Sequence, residues 1–266
     1  MGGDGQRVGP GSIAVFAWAG FVLVFLIAPI VIILIVSFSA ADYLSFPPPA
    51  LSLRWYARFV GVPGWRRAIW VSVQVASLTM LFATTLGLPA ALALVRGRFP
   101  GKGAVYAFLL SPAIVPTIIT AMGLYFFFAR LKATGSLLAM ALGHTVLALP
   151  VVIIIVAATL QGFDIRLEQA ALSLGASRLT ALRRITLPLV APGVLSAALF
   201  AFLTSFDELL IPLFLSGVEI QTLTVRIWNS LQLEVDPTIA AVSSFLVGFT
   251  AAVLGASAVL RRRQPI

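Results

Sequence analysis

The sequence predicts an all-α fold, a polytopic membrane protein of six transmembrane helices with a cytoplasmic helix-turn-helix loop before the fifth. Three observations carry that expectation. Hydrophobic residues make up 60% and charged residues 10% of the 266, with a mean hydropathy of +1.06, whereas a soluble domain is about half apolar and about a quarter charged. The apolar residues gather into six runs, each long enough to cross the hydrocarbon core of a bilayer. The longest charged interruption, 163–188 (FDIRLEQAALSLGASRLTALRRITLP), falls between the fourth run and the fifth.

The expected organisation is a polar, glycine-rich tail (1–12), a single six-helix domain (13–260) and a basic tail (261–266). The run 13–38 is too long for the apolar region of a cleaved signal peptide and lacks a small-residue cleavage site, so it is expected to stay as the first span. In the loop 39–67, three prolines (Pro47 to Pro49) precede LSLRWYARFV. There Leu53, Trp55, Tyr56 and Phe59 alternate with Arg54 and Arg58, the pattern of a short interfacial helix lying flat on the membrane. The second span, 68–95, carries Ala83, Gly87 and Ala91 at four-residue spacing, small residues that let helices approach closely. The third, 104–129, contains Pro112 and Pro116, and the fourth, 137–160, contains His144 and Pro150, so both are expected to kink. The fifth, 189–215, bears Pro192 and Pro212, and the sixth, 239–260, ends at three arginines, Arg261 to Arg263.

An even number of spans puts both termini on one side, and charge chooses the side. With the termini lie Arg7, Arg96, Arg98, Lys102, Arg166, Arg178, Arg183, Arg184 and the terminal arginines, eleven cations against three acids, Asp4, Asp164 and Glu168. The opposite side has seven cations and six acids. The positive-inside rule therefore makes the first set, and the loop 163–188 with it, cytoplasmic.

Within that loop, Ile165, Leu167, Ala171, Leu172 and Leu174 form one helical stripe and Leu179, Leu182 and Ile185 another, on either side of Gly175. A residue without Cβ admits the left-handed conformation that ends one helix and lets a second leave at an angle. Pro188 then opens the next span, where a missing N–H costs little. Gln169-Ala170-Ala171, Gly175, and Ile185, Leu187 and Pro188 at their spacings resemble the EAA loop of the membrane subunits of ATP-binding-cassette (ABC) importers. Gln169 stands where that motif has its glutamate, with Glu168 one place earlier. The resemblance implies a type I importer permease fold. It implies ATPase coupling through Glu168, Gln169, Ala170, Ala171, Gly175 and Arg178, with ATP and magnesium held by partner ATPase subunits and no cofactor in this chain. Its implied partners are an ABC ATPase dimer, a second permease, an extracytoplasmic solute-binding protein and membrane lipid, in a bacterial inner membrane.

Inside the fifth run stands Thr204-Ser205-Phe206-Asp207-Glu208. A carboxylate at the centre of a membrane helix costs roughly 2.5–3.5 kcal/mol, so two in succession must meet water, a cation or a shared proton. Either they face a translocation path or they cap a break in the span near its outer end. The stretches SFDELLIPLFLSG, TLTVRIWNSL and DPTIAAVSSFLVG, with Leu53-Arg54-Trp55-Tyr56, are similar to the spermidine/putrescine permease subgroup, its second and shorter subunit in particular. That likeness implies a path for a small cationic solute past Asp207, Glu208, Phe206 and Ser205. A carboxylate supplies the counter-charge an ammonium needs, and Phe206, Tyr125 or Trp228 offers a cation–π face. Another small solute is the alternative.

Other classes fare worse. A net charge of +9 could suit nucleic acid, but the cations flank apolar runs rather than lining a patch interleaved with aromatics. Without Cys, disulfides and thiolate sites are excluded, and one His without companion ligands argues against a metal. Gly97, Gly101 and Lys102 lack the spacing and the following Ser or Thr of a phosphate loop. An intramembrane hydrolase needs a serine paired with histidine or two aspartates on different spans; the only His, His144, is not near a GxSxG-like serine in the sequence, and Asp207 is the only aspartate within a span. An ion-coupled secondary transporter would show matching halves, and the first three spans do not match the last three.

Overall fold

The computed structural model describes residues 10–233 and 236–262. Of the expected tails, 1–9 and 263–266, Arg263 included, lie outside the described residues. Among the described residues five helices are long and apolar enough to cross a membrane, and a pair bent by 96° brings the number to six when taken as one broken span. In order, the helices are α1 (Pro10–Val36), α2 (Arg54–Gly61), α3 (Pro63–Arg96), α4 (Lys102–Leu110), α5 (Thr117–Arg130), α6 (Leu137–Gln161), α7 (Ile165–Ser173), α8 (Arg178–Ala181), α9 (Leu187–Phe206), α10 (Leu210–Leu215), α11 (Leu223–Leu233) and α12 (Thr238–Arg262). Two compact units result, one of residues up to Gly61 together with Ser230–Gly248, the other of Val62–Asn229 together with residues from Phe249 onward.

In the first unit α1 is exposed along most of its length, as a helix bathed in lipid should be. Its end is fixed by polar groups: Ser37 Oγ lies 2.8 Å from Tyr56 Oη, and the Phe38 and Tyr56 rings sit 5.1 Å apart. The interfacial helix foreseen at Arg54 is α2, but its aromatic face is not left for lipid. Trp55 and Phe59 are buried in protein, Phe59 against Phe245 at 5.6 Å, because at i and i+4 they share a face that α12 covers. Arg58 pairs with Asp236 at 3.3 Å, and Asp236 in turn accepts from the N–H of Thr238 to cap α12.

The second unit is built on α3, α6 and α9. Ala83 and Ala91 of α3, Ala148, Val152 and Val156 of α6, and Ala197 and Ala201 of α9 form one buried cluster. Gly87 and Gly193 permit backbones to approach: a Cβ on Gly87 would lie 2.6 Å from Val152 Cγ1, and one on Gly193 2.8 Å from Thr159 Cβ. The expected close contact through Ala83, Gly87 and Ala91 is thus present. A second cluster joins Val71 and Val75 of α3 to Ala121 and Phe128 of α5, Met140 of α6, and Ile211 and Leu215 of α10.

Two expected spans differ in shape. The third is broken rather than kinked: α4 continues as a 3-10 turn, Ser111–Ala113, and α5 leaves it at 96°. Pro112 and Pro116 both lack an N–H, and Pro116 forces the residue before it out of the helical region. The fifth span, expected as one helix over 189–215, stops at Phe206 and resumes as α10 at Leu210. The two acids lie in that break and not inside a helix, for the reason developed below.

Replacing Gly193 by Ala should destabilise the protein by about 1–3 kcal/mol, the ordinary cost of overpacking a close interface. Gly248→Ala, where an added Cβ meets nothing within 4 Å, should be neutral or mildly stabilising. Thermal unfolding in detergent, followed by tryptophan fluorescence, distinguishes the two.

Candidate functional site

The polar loop after α6 is organised by caps. Asp164 Oδ1 accepts from the N–H of Arg166 (2.9 Å) and starts α7, and Ser177 Oγ accepts from Thr180 N–H (3.2 Å) and starts α8. Between them Gly175 takes φ +89°. Its N–H donates to Leu172 O at 3.0 Å and the N–H of Ala176 to Ala171 O at 3.0 Å, a complete Schellman closure. The helix-Gly-helix reading of this loop is therefore correct in detail. Beyond α8 the backbone widens into a π-helical turn, Leu182–Thr186, and runs without interruption into α9.

No residue of α7 is buried. Gln169 and Ala170 are exposed, Ala171 is half-buried, and Leu167, Leu172, Leu174 and Leu179 are exposed apolar side chains. Leu174 shows 89% of its surface. Glu168 is different. Its carboxylate pairs with Arg96 at the end of α3 and accepts from Thr186 Oγ1 at 2.8 Å. The Arg96 guanidinium also lies 5.5 Å from the Phe163 ring. A cavity of about 620 Å³ opens here, lined among others by Arg96, Gln161, Glu168, Gln169 and Arg178. Glu168 is thus held against α3 and the π turn, while Gln169 beside it is exposed.

At the other end of α9, the acids sit in the break. Asp207 is exposed. Glu208 Oε1 accepts from the N–H groups of Leu210 (2.8 Å) and Ile211 (3.3 Å), the first two residues of α10, and Glu208 O accepts from Thr224 Oγ1 at 2.7 Å. Capping explains the break: a carboxylate that satisfies two orphan donors restarts the chain as a new helix. Of the other two residues expected on a solute path, Phe206 is 1% exposed and stacked between Phe202 (5.6 Å) and Phe249 (4.7 Å). Ser205 is buried in a chain of polar groups, 2.7 Å from His144 Nδ1 on α6 and donating to Thr79 Oγ1 on α3 at 3.2 Å. His144 accordingly serves an interhelical hydrogen bond, with its Nε2 buried and unpartnered. Of the four, only Asp207 faces open space and only Glu208 is half-buried beside it.

Arg226 on α11 stacks over Trp65 at 4.8 Å, and partial burial holds its guanidinium below its usual range. Among the described residues no group of acids and histidines could hold a metal ion. Arg96, Thr186 and Thr79 were not singled out from sequence. Arg96 read only as a topology-setting cation, because Glu168 lies 72 residues further along the chain.

An exposed helix-turn-helix that runs without a break into a long apolar helix marks the chain as a polytopic membrane protein with a largely exposed polar loop. The segment 83–264 matches the family described as the binding-protein-dependent transport system inner membrane component. The chain belongs to that family and is a permease subunit of the ABC-importer type. It is similar to the spermidine/putrescine transport system permease protein PotC of Haemophilus influenzae, 33% identical with 91% of this chain and 94% of that protein covered. The putrescine transport system permease protein PotI of Escherichia coli is 31% identical, with 84% and 82% covered. Among solved structures the fold matches a chain of the bacterial alginate ABC transporter in complex with an alginate pentasaccharide-bound periplasmic protein (TM-score 0.72, 16% identity, 97% and 96% covered). It also matches a chain of the inward-facing methionine transporter MetNI (TM-score 0.63, 21% identity, 75% and 95% covered).

The two acids should separate in a stability assay. Glu208→Ala removes the α10 cap and is expected to cost about 1 kcal/mol, whereas Asp207→Ala should change stability by no more than about 0.5 kcal/mol. The measurement is the shift in thermal unfolding midpoint of the purified protein in lipid nanodiscs.

Proposed function

We propose that this chain forms half of the translocation path of an ATP-driven importer for small organic polycations of the polyamine class. ATP and magnesium act on separate ATPase subunits that dock on the outward face of α7 and α8, and a second, related permease supplies the other half of the path. An extracytoplasmic solute-binding protein delivers the solute. Both termini and the loop lie on the cytoplasmic side of a bacterial inner membrane, a placement that the charge asymmetry supports. One observation carries the mechanism: the unburied loop around Gly175 continues through the π turn into α9, whose far end is the acidic break at Asp207 and Glu208. Closure of the ATPases pushes the loop, the loop moves α9, and the break changes access between the two faces.

The solute class rests on the two polyamine permeases and on the acids. Asp207, exposed at the break, is the group positioned to supply counter-charge, and Glu208 holds the break in shape. Ser205 and Phe206 support the path from beneath. A relative 32% identical over 60% of this chain, a probable molybdenum transporter permease of Haloferax volcanii, keeps another small solute as the second reading, since fold does not set cargo.

The complex co-purified with its ATPases and reconstituted should hydrolyse ATP faster with spermidine- or putrescine-loaded binding protein, and not with molybdate. Stimulation by the anion alone would move the cargo to the second reading, and solute accumulation in vesicles holding this chain alone would overturn the class. Gly175→Val should lower solute imported per ATP. An added side chain meets open space there, but the left-handed backbone costs a β-branched residue about 1–2 kcal/mol and re-aims α8. Unchanged import per ATP in that variant would refute the lever.

A further inference from the structure

Glu168 is the one loop residue that three elements share. Its Oε2 takes both Arg96 Nη1, from the last turn of α3, and Thr186 Oγ1, from the π turn that opens α9, while its own backbone belongs to α7. The site is largely shielded: the Arg96 and Glu168 side chains keep 20% and 17% of their surface, and Thr186 is fully buried. Both charges also suit the ends they occupy, a cation in the last turn of α3 and an acid in the first turn of α7. The Phe163 ring beside the guanidinium adds a cation–π contact from the start of the loop. Breaking one partner of such a pair strands a charge in a shielded place, so α7 cannot turn against α3 without a penalty.

We infer that Arg96, Glu168 and Thr186 form a clamp that makes the loop push α3 as well as α9, with Glu168 a positioning residue for coupling and not a contact to the ATPase. The inference rests on the importer reading above. Force entering at α7 then reaches two of the three helices that pack through Ala83, Gly87, Ala148, Gly193 and Ala197, and the third, α6, follows because it packs against both. The π turn is suited to this: a widened turn lowers local stiffness along α9, and Thr186 hands the strain back to the same carboxylate that holds α3. Gln169, exposed beside it, is left free to meet the ATPase surface.

The test uses the full reconstituted importer and reads three quantities: assembly with the ATPases, ATP hydrolysis stimulated by polyamine-loaded binding protein, and polyamine imported per ATP. Glu168→Gln and Thr186→Val are expected to assemble and to hydrolyse ATP, with import per ATP lowered by about fivefold or more, the low end of ordinary coupling between two sites. The exchanged pair, Arg96→Glu with Glu168→Arg, should recover most of the ratio that either single change loses. A merely structural role would move assembly and leave the ratio alone. Wild-type import per ATP in Glu168→Gln, or no recovery in the exchanged pair, overturns the clamp. Should the wild-type complex itself show no stimulated hydrolysis, the importer reading fails and not the clamp.

Discussion

The structure depends on three helices touching almost backbone to backbone. In a bilayer, lipid tails are as apolar as leucine, so helices gain little by hiding apolar side chains from lipid. What holds α3, α6 and α9 together is close approach, and close approach requires that nothing stand between the backbones. Ala83, Gly87 and Ala91 on one helix, Ala148 and Val152 on the second, and Gly193, Ala197 and Ala201 on the third meet that requirement. The larger side chains of the unit point elsewhere, many of them outward, as in α5 with Ile119 and Phe126 exposed. With so few flexible groups at the contact, the block has little freedom to bend internally and is suited to move as a body.

A second constraint acts where the helices stop. Without water, every freed N–H and C=O in the membrane needs a protein partner. The break after α9 meets it locally: Glu208 takes two N–H groups of α10, and Thr224 donates to the carbonyl of Glu208. The network of His144, Ser205 and Thr79 ties the last turn of α9 to α6 and α3 just before the chain leaves helical geometry. An adjacent pair of acids that looks wasteful in an apolar run therefore divides its labour. One carboxylate is spent on the backbone and the other stays exposed.

How much of this was legible follows from the range of each effect. Local chemistry was readable: the left-handed Gly175, the small-residue stripe of α3 and the six apolar runs are set by single residues or by periodicity, whereas α3 starts at Pro63, five residues before the apolar run at 68. Family likeness in the loop and at the C-terminal end pointed to the importer class. What sequence concealed was non-local. Nothing near Phe206 announces that it is buried with Phe202 stacked on it and Phe249 tilted against it, so it read as a candidate cation–π partner. Nothing near Glu168 announces Arg96, 72 residues earlier in the chain. The break at Asp207 could be posed as one of two options, but choosing between them needed the distance from Glu208 to the N–H groups ahead of it.

Placing Glu168 inward changes what the loop offers a partner. Of its two acids, Asp164 caps α7 and stays exposed, and Glu168 is held by Arg96 and Thr186. The exposed side chains are then Gln169, the apolar Leu167, Leu174 and Leu179, and the cations Arg166, Arg178, Arg183 and Arg184. A surface of that kind attracts an apolar cleft rimmed by acids and repels a basic one, and the attraction steers approach before any contact forms. The same arginines are among the cations that the positive-inside rule counts. Gln169, where the motif has its glutamate, adds no negative charge to that exposed face, which leaves the four arginines outweighing Asp164 there.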